Sequence, residues 1–355
     1  MVSVGTGRLM ELGKGMSWRL LALNIIGALL VLAGIGLEAL NASSLIDYRQ
    51  ASGRHGGEVI ELGTDALPQP GQHGYMARLA GTPRVVEAPH DPQFNQTANT
   101  PVLVRRVEMF QWREISFGGN VHYELDWVDR PVDSSRFKDA RGHANPGAFP
   151  IEGKQFDAGL VQMGGFKLGR MLVQALPGSQ LIEPDPAALP QNLAVTFSRY
   201  QDYLVSSAHP GDPRLGDLRV SWSAVPLQQV TIVARLDGAR LEAASDAPDG
   251  KGYQVQVGDV PVLALFPDLP VPPQYVTLWR IVSVLLAALG ALVLLAAHHR
   301  RRDPLLALGL GSIGVGAVAS VLWLGGQNAH VLGGWVVLTL LGVALSVWCL
   351  RRHGH

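Results

Sequence analysis

The stretch Val276–Leu324, VTLWRIVSVLLAALGALVLLAAHHRRRDPLLALGLGSIGVGAVASVLWL, reads as two apolar runs divided by a short basic turn. Each run has about the 20 residues that a helix needs to cross a hydrocarbon core of roughly 30 Å. A helix bonds its backbone internally, so the pair is expected to be a membrane-spanning hairpin, Val276–Ala297 followed by Pro304–Leu324. Outward from it, Leu20–Leu40 and Val331–Leu350 pass the same test, which makes four spans. The first lies where a secretory signal would, but it is longer than a usual apolar signal core and lacks a small-x-small cleavage site before Asn41. It is read as an uncleaved anchor.

Basic residues in short flanking loops stay in the cytosol, and here they agree on one orientation. Arg8, Lys14 and Arg19 precede the first span, Arg300, Arg301 and Arg302 fill the turn quoted above, and Arg351 and Arg352 follow the last span. The connection Gly325–His330 has neither Lys nor Arg. Residues 1–19 and 351–355 are therefore expected to be cytosolic tails, and 42–275 an exported domain, periplasmic or lumenal. The fold class is an α+β membrane protein: four transmembrane helices plus a large β-rich exported domain inserted between the first and second.

A mean hydropathy of +0.17 with 16% charged residues is too apolar for an ordinary soluble protein. The formal charge of zero hides an asymmetry: residues 42–275 carry 20 Lys and Arg against 26 Asp and Glu. An acidic domain argues against nucleic acid as a partner, because tracking phosphates requires a basic stripe. The single cysteine, Cys349, excludes a disulfide within the chain.

Within the spans, Gly309, Gly311 and Gly314 form a G-x-G-x-x-G pattern. A dinucleotide site would need a strand before it and an acidic residue after it; mid-span glycines instead let helices approach closely. Gly311, Ser312, Gly316 and Ser320 are accordingly assigned to helix packing. Glu38 and Arg280 lie at matching depths near the outer ends of the first two spans, so they are paired as an interhelical ion pair, with independent snorkelling as the alternative. Asn24 is read as an interhelical hydrogen bond. His298, His299, His353 and His355 have no acidic or thiol neighbour and are read as polar interface caps, so no metal site is assigned.

The exported domain shows β-type runs at Val102–Glu114, Val121–Val128, Leu193–Tyr203, Leu218–Ala224, Gln229–Leu236 and Tyr253–Val260. Asp157–Ala175 is the best helix candidate, covering the sheet or touching the membrane, with Leu160, Met163, Phe166, Leu168, Met171 and Leu172 as its apolar face. Phe266–Pro273 reads as a stiff Pro-rich connector. Asn41-Ala-Ser43 and Asn95-Gln-Thr97 are formal glycosylation sequons. The stretch Asp126–Lys154 gathers polar residues, among them Asp126, Asp129, Asp133, Asp139, His143 and Glu152. It holds no nucleophile elbow, zinc-binding helix, P-loop or metal-ligand spacing.

Three ordered blocks carry a resemblance. Arg106-Val-Glu-Met-Phe-Gln-Trp112 is one. The run Tyr123–Glu152, with Asp126-Trp127, Ser135-Arg-Phe137 and Gly142-His-Ala-Asn-Pro146, is the second. Gly216-Asp-Leu-Arg-Val-Ser-Trp222, followed by Val230-Thr-Ile-Val-Ala-Arg235, is the third. With the layout of one anchor, a large non-cytosolic domain and three closely spaced spans, they resemble the transmembrane protein 43 (LUMA) family. Trp112, Trp127, Phe137, His143, Asn145, Pro146, Asp217 and Arg219 are the matching residues, and their reading is architectural: core-sized aromatics, a turn at Gly142 and Pro146, and cross-strand pairing by Arg219 and Arg235.

The resemblance implies a non-enzymatic organiser of membrane complexes, without cofactor or catalytic residues, that associates with itself, with lipid and with other membrane or envelope proteins. Animal members reside in the endoplasmic reticulum and inner nuclear membrane and bind lamina components. Short tails and a Lys-poor, Ala/Gly/Arg-rich composition fit a bacterial inner membrane, so lamina partners are not carried over. Two alternatives stand beside this reading: an envelope hydrolase with a site around His143, and an oligomeric channel or transport component.

Overall fold

The computed structural model describes residues 18–64, 66–250, 252–298, 303–325 and 328–352. Arg8, Lys14, Arg300, Arg301, Arg302, His299, His353 and His355 lie outside the described residues. The described residues form two compact units, one within 1–51 and 269–355 and one within 52–268.

Seven helices are described: α1 (Trp18–Arg54), α2 (Arg170–Gln174), α3 (Gln191–Ala194), α4 (Val262–Leu265), α5 (Val276–Ala297), α6 (Pro304–Trp323) and α7 (Ala329–Arg352). Of these, α1, α5, α6 and α7 are long and apolar enough to cross a membrane. Helix α1 runs for 37 residues, about 55 Å at 1.5 Å per residue. Its apolar run ends near Leu40, but no glycine or proline interrupts the chain until Gly53. The helix therefore continues beyond the apolar stretch and stops only where Gly56 (φ +100°) and Gly57 (φ +135°) adopt backbone that L side chains rarely take. Asp303 caps α6, its Oδ1 accepting from Leu305 N at 2.9 Å, with Pro304 in the first turn.

Small residues set the spacing of the apolar helices. A Cβ on Gly290 would stand 2.6 Å from Val31 N of α1, and one on Gly311 would stand 2.6 Å from Ala288 N of α5. On its other side α6 meets α7, where a Cβ on Gly342 would lie 2.8 Å from Gly309 O. Gly309, Gly311, Ser312 and Gly316 are all buried. The G-x-G-x-x-G pattern thus lies inside α6. Ser320 donates its hydroxyl to Gly316 O of its own helix at 2.7 Å. Asn24 departs from expectation: its buried Oδ1 has no hydrogen-bond partner among the described residues, so it does not join two helices through that atom.

The second unit carries two large sheets. One has the order β1 (Val59–Thr64), β2 (Met76–Gly81), β15 (Val230–Asp237), β16 (Arg240–Glu242), β10 (Phe166–Leu168), β9 (Leu160–Met163), β3 (Arg84–Glu87), with β17 (Gln254–Val257) also on β15. The other has the order β12 (Ser198–Tyr200), β13 (Tyr203–Val205), β14 (Leu218–Ala224), β6 (Val102–Phe117), β7 (Asn120–Val128), with β11 (Gln180–Ile182) also on β14 and β8 (Lys154–Asp157) also on β6. β4 (His90–Asp91) and β5 (Gln96–Thr97) form a small ladder. Each large sheet has its own apolar cluster: Leu79, Met163, Phe166, Leu172 and Ile232 in the first, and Phe94, Leu103, Leu204, Val220 and Trp222 in the second.

The expected helix over Asp157–Ala175 is corrected. That stretch contains the end of β8, β9, a turn, β10 and the five-residue α2. Gly164 takes φ +57° in the turn, where β9 pairs back onto β10 through Met163 and Phe166. Val161 with Met163 and Phe166 with Leu168 alternate on the buried face, a period of two that the helical spacing partly imitates. The expected strand at Leu193–Tyr203 is broken too, since Gln191–Ala194 is a helical turn preceding β12.

Candidate functional site: a latch on the long hairpin

β6 and β7 form the longest hairpin, paired from Met109–Val128 to Phe117–Asn120. On its other edge β6 pairs with β14 only as far as Met109 opposite Leu218. Phe110 still finds backbone there, accepting from Gly216 N and donating to Asp217 O, both at 2.9 Å. Beyond that point the edge would carry unpaired peptide groups. Asn145 supplies the missing strand: its Oδ1 accepts from Trp112 N at 2.8 Å, and its Nδ2 donates to Trp112 O at 3.0 Å and to Val132 O at 3.2 Å. Gln111, buried beside it, donates to Arg130 O at 3.0 Å and accepts from Val132 N at 3.1 Å.

Rings close the same loop over the hairpin. His143 stacks on Tyr123 with centroids 3.9 Å apart, and meets Trp112 edge to face at 4.7 Å. Its Nδ1 donates to Asp139 O at 3.0 Å, because a carbonyl can only accept. Tyr123 also touches Phe137 at 5.7 Å, and its hydroxyl donates to Glu114 Oε2 at 2.9 Å while accepting from Asp139 N at 2.8 Å. Burial, joined by the neighbouring Glu114 carboxylate, raises the Tyr123 phenol above its ordinary value.

The third sequence block meets the first two here. Arg219 stands directly opposite Glu108 and grips it with two bonds, of 2.5 and 3.0 Å. Its guanidinium lies 4.9 Å from the Trp127 ring and 4.8 Å from the Tyr203 ring. Asp217 accepts from Arg214 N at 2.7 Å and holds the turn into β14. Gly216 has φ +92°, and a Cβ on it would lie 3.3 Å from Pro146 Cγ. Arg235 pairs with Asp246 and also donates to Gly56 O at 2.8 Å, so its partners lie off the neighbouring strands.

Sequence reasoning missed two further clusters. Arg105 and Asp91 form a buried ion pair, their side chains 4% and 0% exposed, with Arg105 donating to both Asp91 oxygens at 2.9 Å. Trp222 Nε1 donates to Asp91 Oδ2 at 3.0 Å, and Arg105 also donates to Glu152 O. The signal was the alternation Leu103, Arg105, Val107, Met109, which puts an arginine on the buried face of β6. The second is His55, whose ring lies tilted by 36° against Phe266 with centroids 4.4 Å apart and reaches Asp249 at 3.3 Å and Asp268 at 3.1 Å. Burial opposes ionisation of Asp268, but His55 and Arg54 outweigh it and hold the carboxyl below the usual range. Among the described residues no group of three or more His, Cys, Asp or Glu side chains is placed so that it could hold a metal ion.

In the apolar unit Arg280 Nε lies 4.0 Å from Glu38 Oε1. Ser283 donates to Glu38 Oε2 at 3.3 Å, and the Arg280 guanidinium stands 5.5 Å from the Trp335 ring. The sequon asparagines are both engaged: Asn41 donates to Val276 O at 3.3 Å and Asn95 to Ala188 O at 2.9 Å.

Comparison with known proteins places this arrangement. The family model for transmembrane protein 43 matches residues 109–325. Transmembrane protein 43 of Homo sapiens is 28% identical over 194 residues, 48% of each chain. The Drosophila melanogaster homolog is 27% identical over 198 residues, 50% of each chain. The match thus spans about half the length of these curated relatives. No solved structure matches the chain. The family match begins within β6, takes in the latch and β14, and ends just past α6, so by more than half of its length this chain belongs to the transmembrane protein 43 family.

Proposed function

We propose that this chain is a non-enzymatic, multi-pass organiser of membrane protein complexes, exposing its β-rich unit on the non-cytosolic side and associating with copies of itself and with other membrane proteins. One observation carries the reading: residues of the family blocks converge on a latch in which Asn145, Tyr123 and Glu114 spend their polar groups on structural bonds. Asn145 completes a strand edge, Tyr123 and Glu114 tie down the loop backbone, and His143 has its Nδ1 on a carbonyl with rings against its face and edge. A general base needs a reacting proton within reach of an uncommitted nitrogen and a partner to orient it. Among the described residues no hydroxyl, thiol or carboxylate is bonded to the His143 ring, whose one hydrogen bond goes to the loop's own backbone. The hairpin tip beyond the latch carries Phe117, 82% exposed and followed by Gly118 and Gly119.

The basic residues flanking the spans support a placement of both termini in the cytosol. Cross-linking in native membranes, with identification of the captured proteins, tests the proposal. Complexes that survive His143→Phe, which keeps a ring in the stack, are the expected result. A reaction abolished by His143→Phe in a folded protein overturns it in favour of an enzyme.

A further inference from the structure

The apolar unit contains a cavity of about 590 Å³ between α1, α5 and α6. Its floor is made of small residues, Ala287 and Ala291 of α5 with Gly311 and Gly314 of α6. Its sides are Val31, Leu294 and Leu310, and Leu310 is 42% exposed at the rim. Ala287 to His298 spans about 16 Å along α5 at 1.5 Å per residue. The floor exists because Gly311 brings α6 so close to Ala288 that larger side chains are excluded there, while the flanking leucines keep their full height.

Chemistry narrows the occupant. Among the described lining residues only His298 carries a polar side chain, so water beside the apolar ones would lack the two to four partners it needs. What surrounds four membrane-spanning helices at this depth is alkyl chain, which is flexible, narrow and apolar. His298 marks one end: it caps α5, is exposed, and its ring is oriented by a 3.0 Å bond to Leu294 O. A polar ring at the end of an apolar trough is placed like the interfacial residues that meet lipid esters and headgroups.

We propose that the groove between α1, α5 and α6 holds one acyl chain of a membrane phospholipid, with the lipid's polar end beside His298. This is independent of what the β-rich unit binds. The full chain, reconstituted into phosphatidylcholine and phosphatidylethanolamine vesicles doped with a phosphatidylcholine carrying a mid-chain diazirine, is irradiated and the adducts are mapped. Labelling of Val31, Leu294 and Leu310 several-fold above that of Leu340 and Leu341, which are 63% and 62% exposed on α7, is expected. Gly314→Leu fills the floor and should bring groove labelling down to the α7 level; a Cβ there meets Ile35 Cδ1 at 3.4 Å, an ordinary contact. Leu310→Trp blocks the rim as a second variant. Even labelling of all apolar faces, groove labelling unchanged in either folded variant, or adducts replaced by chain-to-chain cross-links at these positions would overturn the proposal.

Discussion

Two arginine–carboxylate pairs, one in each unit, differ in how completely they are satisfied. In the β-rich unit Asp91 receives Arg105, Trp222 Nε1 and Gln93 N, and Arg105 turns its remaining donors to Glu152 O. In the apolar unit Glu38 is as deeply buried, yet Arg280 stands 4.0 Å away, and among the described residues Glu38 Oε1 and Arg280 Nε lack hydrogen-bond partners. A buried charge is tolerated when its lone pairs and protons are all met. The first pair is an integral part of a core, whereas the second is a loose electrostatic contact between helices whose arginine also leans on Trp335.

The sharpest way to break that comparison is Asp91→Ala. It strands Arg105 and Trp222 in the core and should cost about 3–5 kcal/mol, read as a lowered unfolding midpoint of the β-rich unit in denaturant. The double change Asp91→Leu with Arg105→Met should recover most of that loss. Asn145→Ala comes next: it leaves Trp112 N and O without their partners and should cost about 1–3 kcal/mol, seen as faster hydrogen exchange at Trp112 and the 130–146 loop. If exchange there stays slow, the latch is not what holds the loop.

A smaller effect is expected from acid. Burial works against ionisation of Asp157, but bonds from Gln155, Gln174 and Arg170 outweigh it, so its folded carboxyl titrates below the ordinary value. The unfolded chain then binds the proton first. Stability from this group is complete above the ordinary carboxyl value of about 3.9 and is lost as pH falls through the folded value. Asp157→Asn should flatten that part of the pH–stability profile, measured by thermal unfolding between neutral pH and pH 3. The smallest effect is predicted for Glu38→Gln in nanodiscs, well below that of Asp91→Ala, because no close hydrogen bond to Arg280 is lost and an amide oxygen can still accept from Ser283. A loss as large as that of Asp91→Ala would erase the distinction between the pairs.

Local pattern carried much of the architecture. β14 coincides with the alternating run Leu218–Ala224, and the strand expected from Val102 extends three residues further along β6 than the run indicated. Elsewhere one pattern served two structures. The apolar residues between Leu160 and Leu172 satisfy a helical face, but Gly164 and Gly165 favour a turn, and the neighbouring strands β3 and β16 reward extended chain on both sides. The candidate site was legible as residues and not as a shape. Asn145, Trp112 and Arg219 each belong to a block, yet nothing local says that Asn145 would replace a strand where β14 ends.

Hydropathy, basic loops and length are sums over neighbours in the chain, and from them alone came the four apolar helices and the β-rich insertion between the first and second. Partnerships depend on which distant segments become adjacent. Asp91 and Trp222 are 131 residues apart, Glu38 and Ser283 245, and the groove needs three helices at once. Those were decided by packing, because a buried polar group or a small residue acquires its role only from what the fold sets against it.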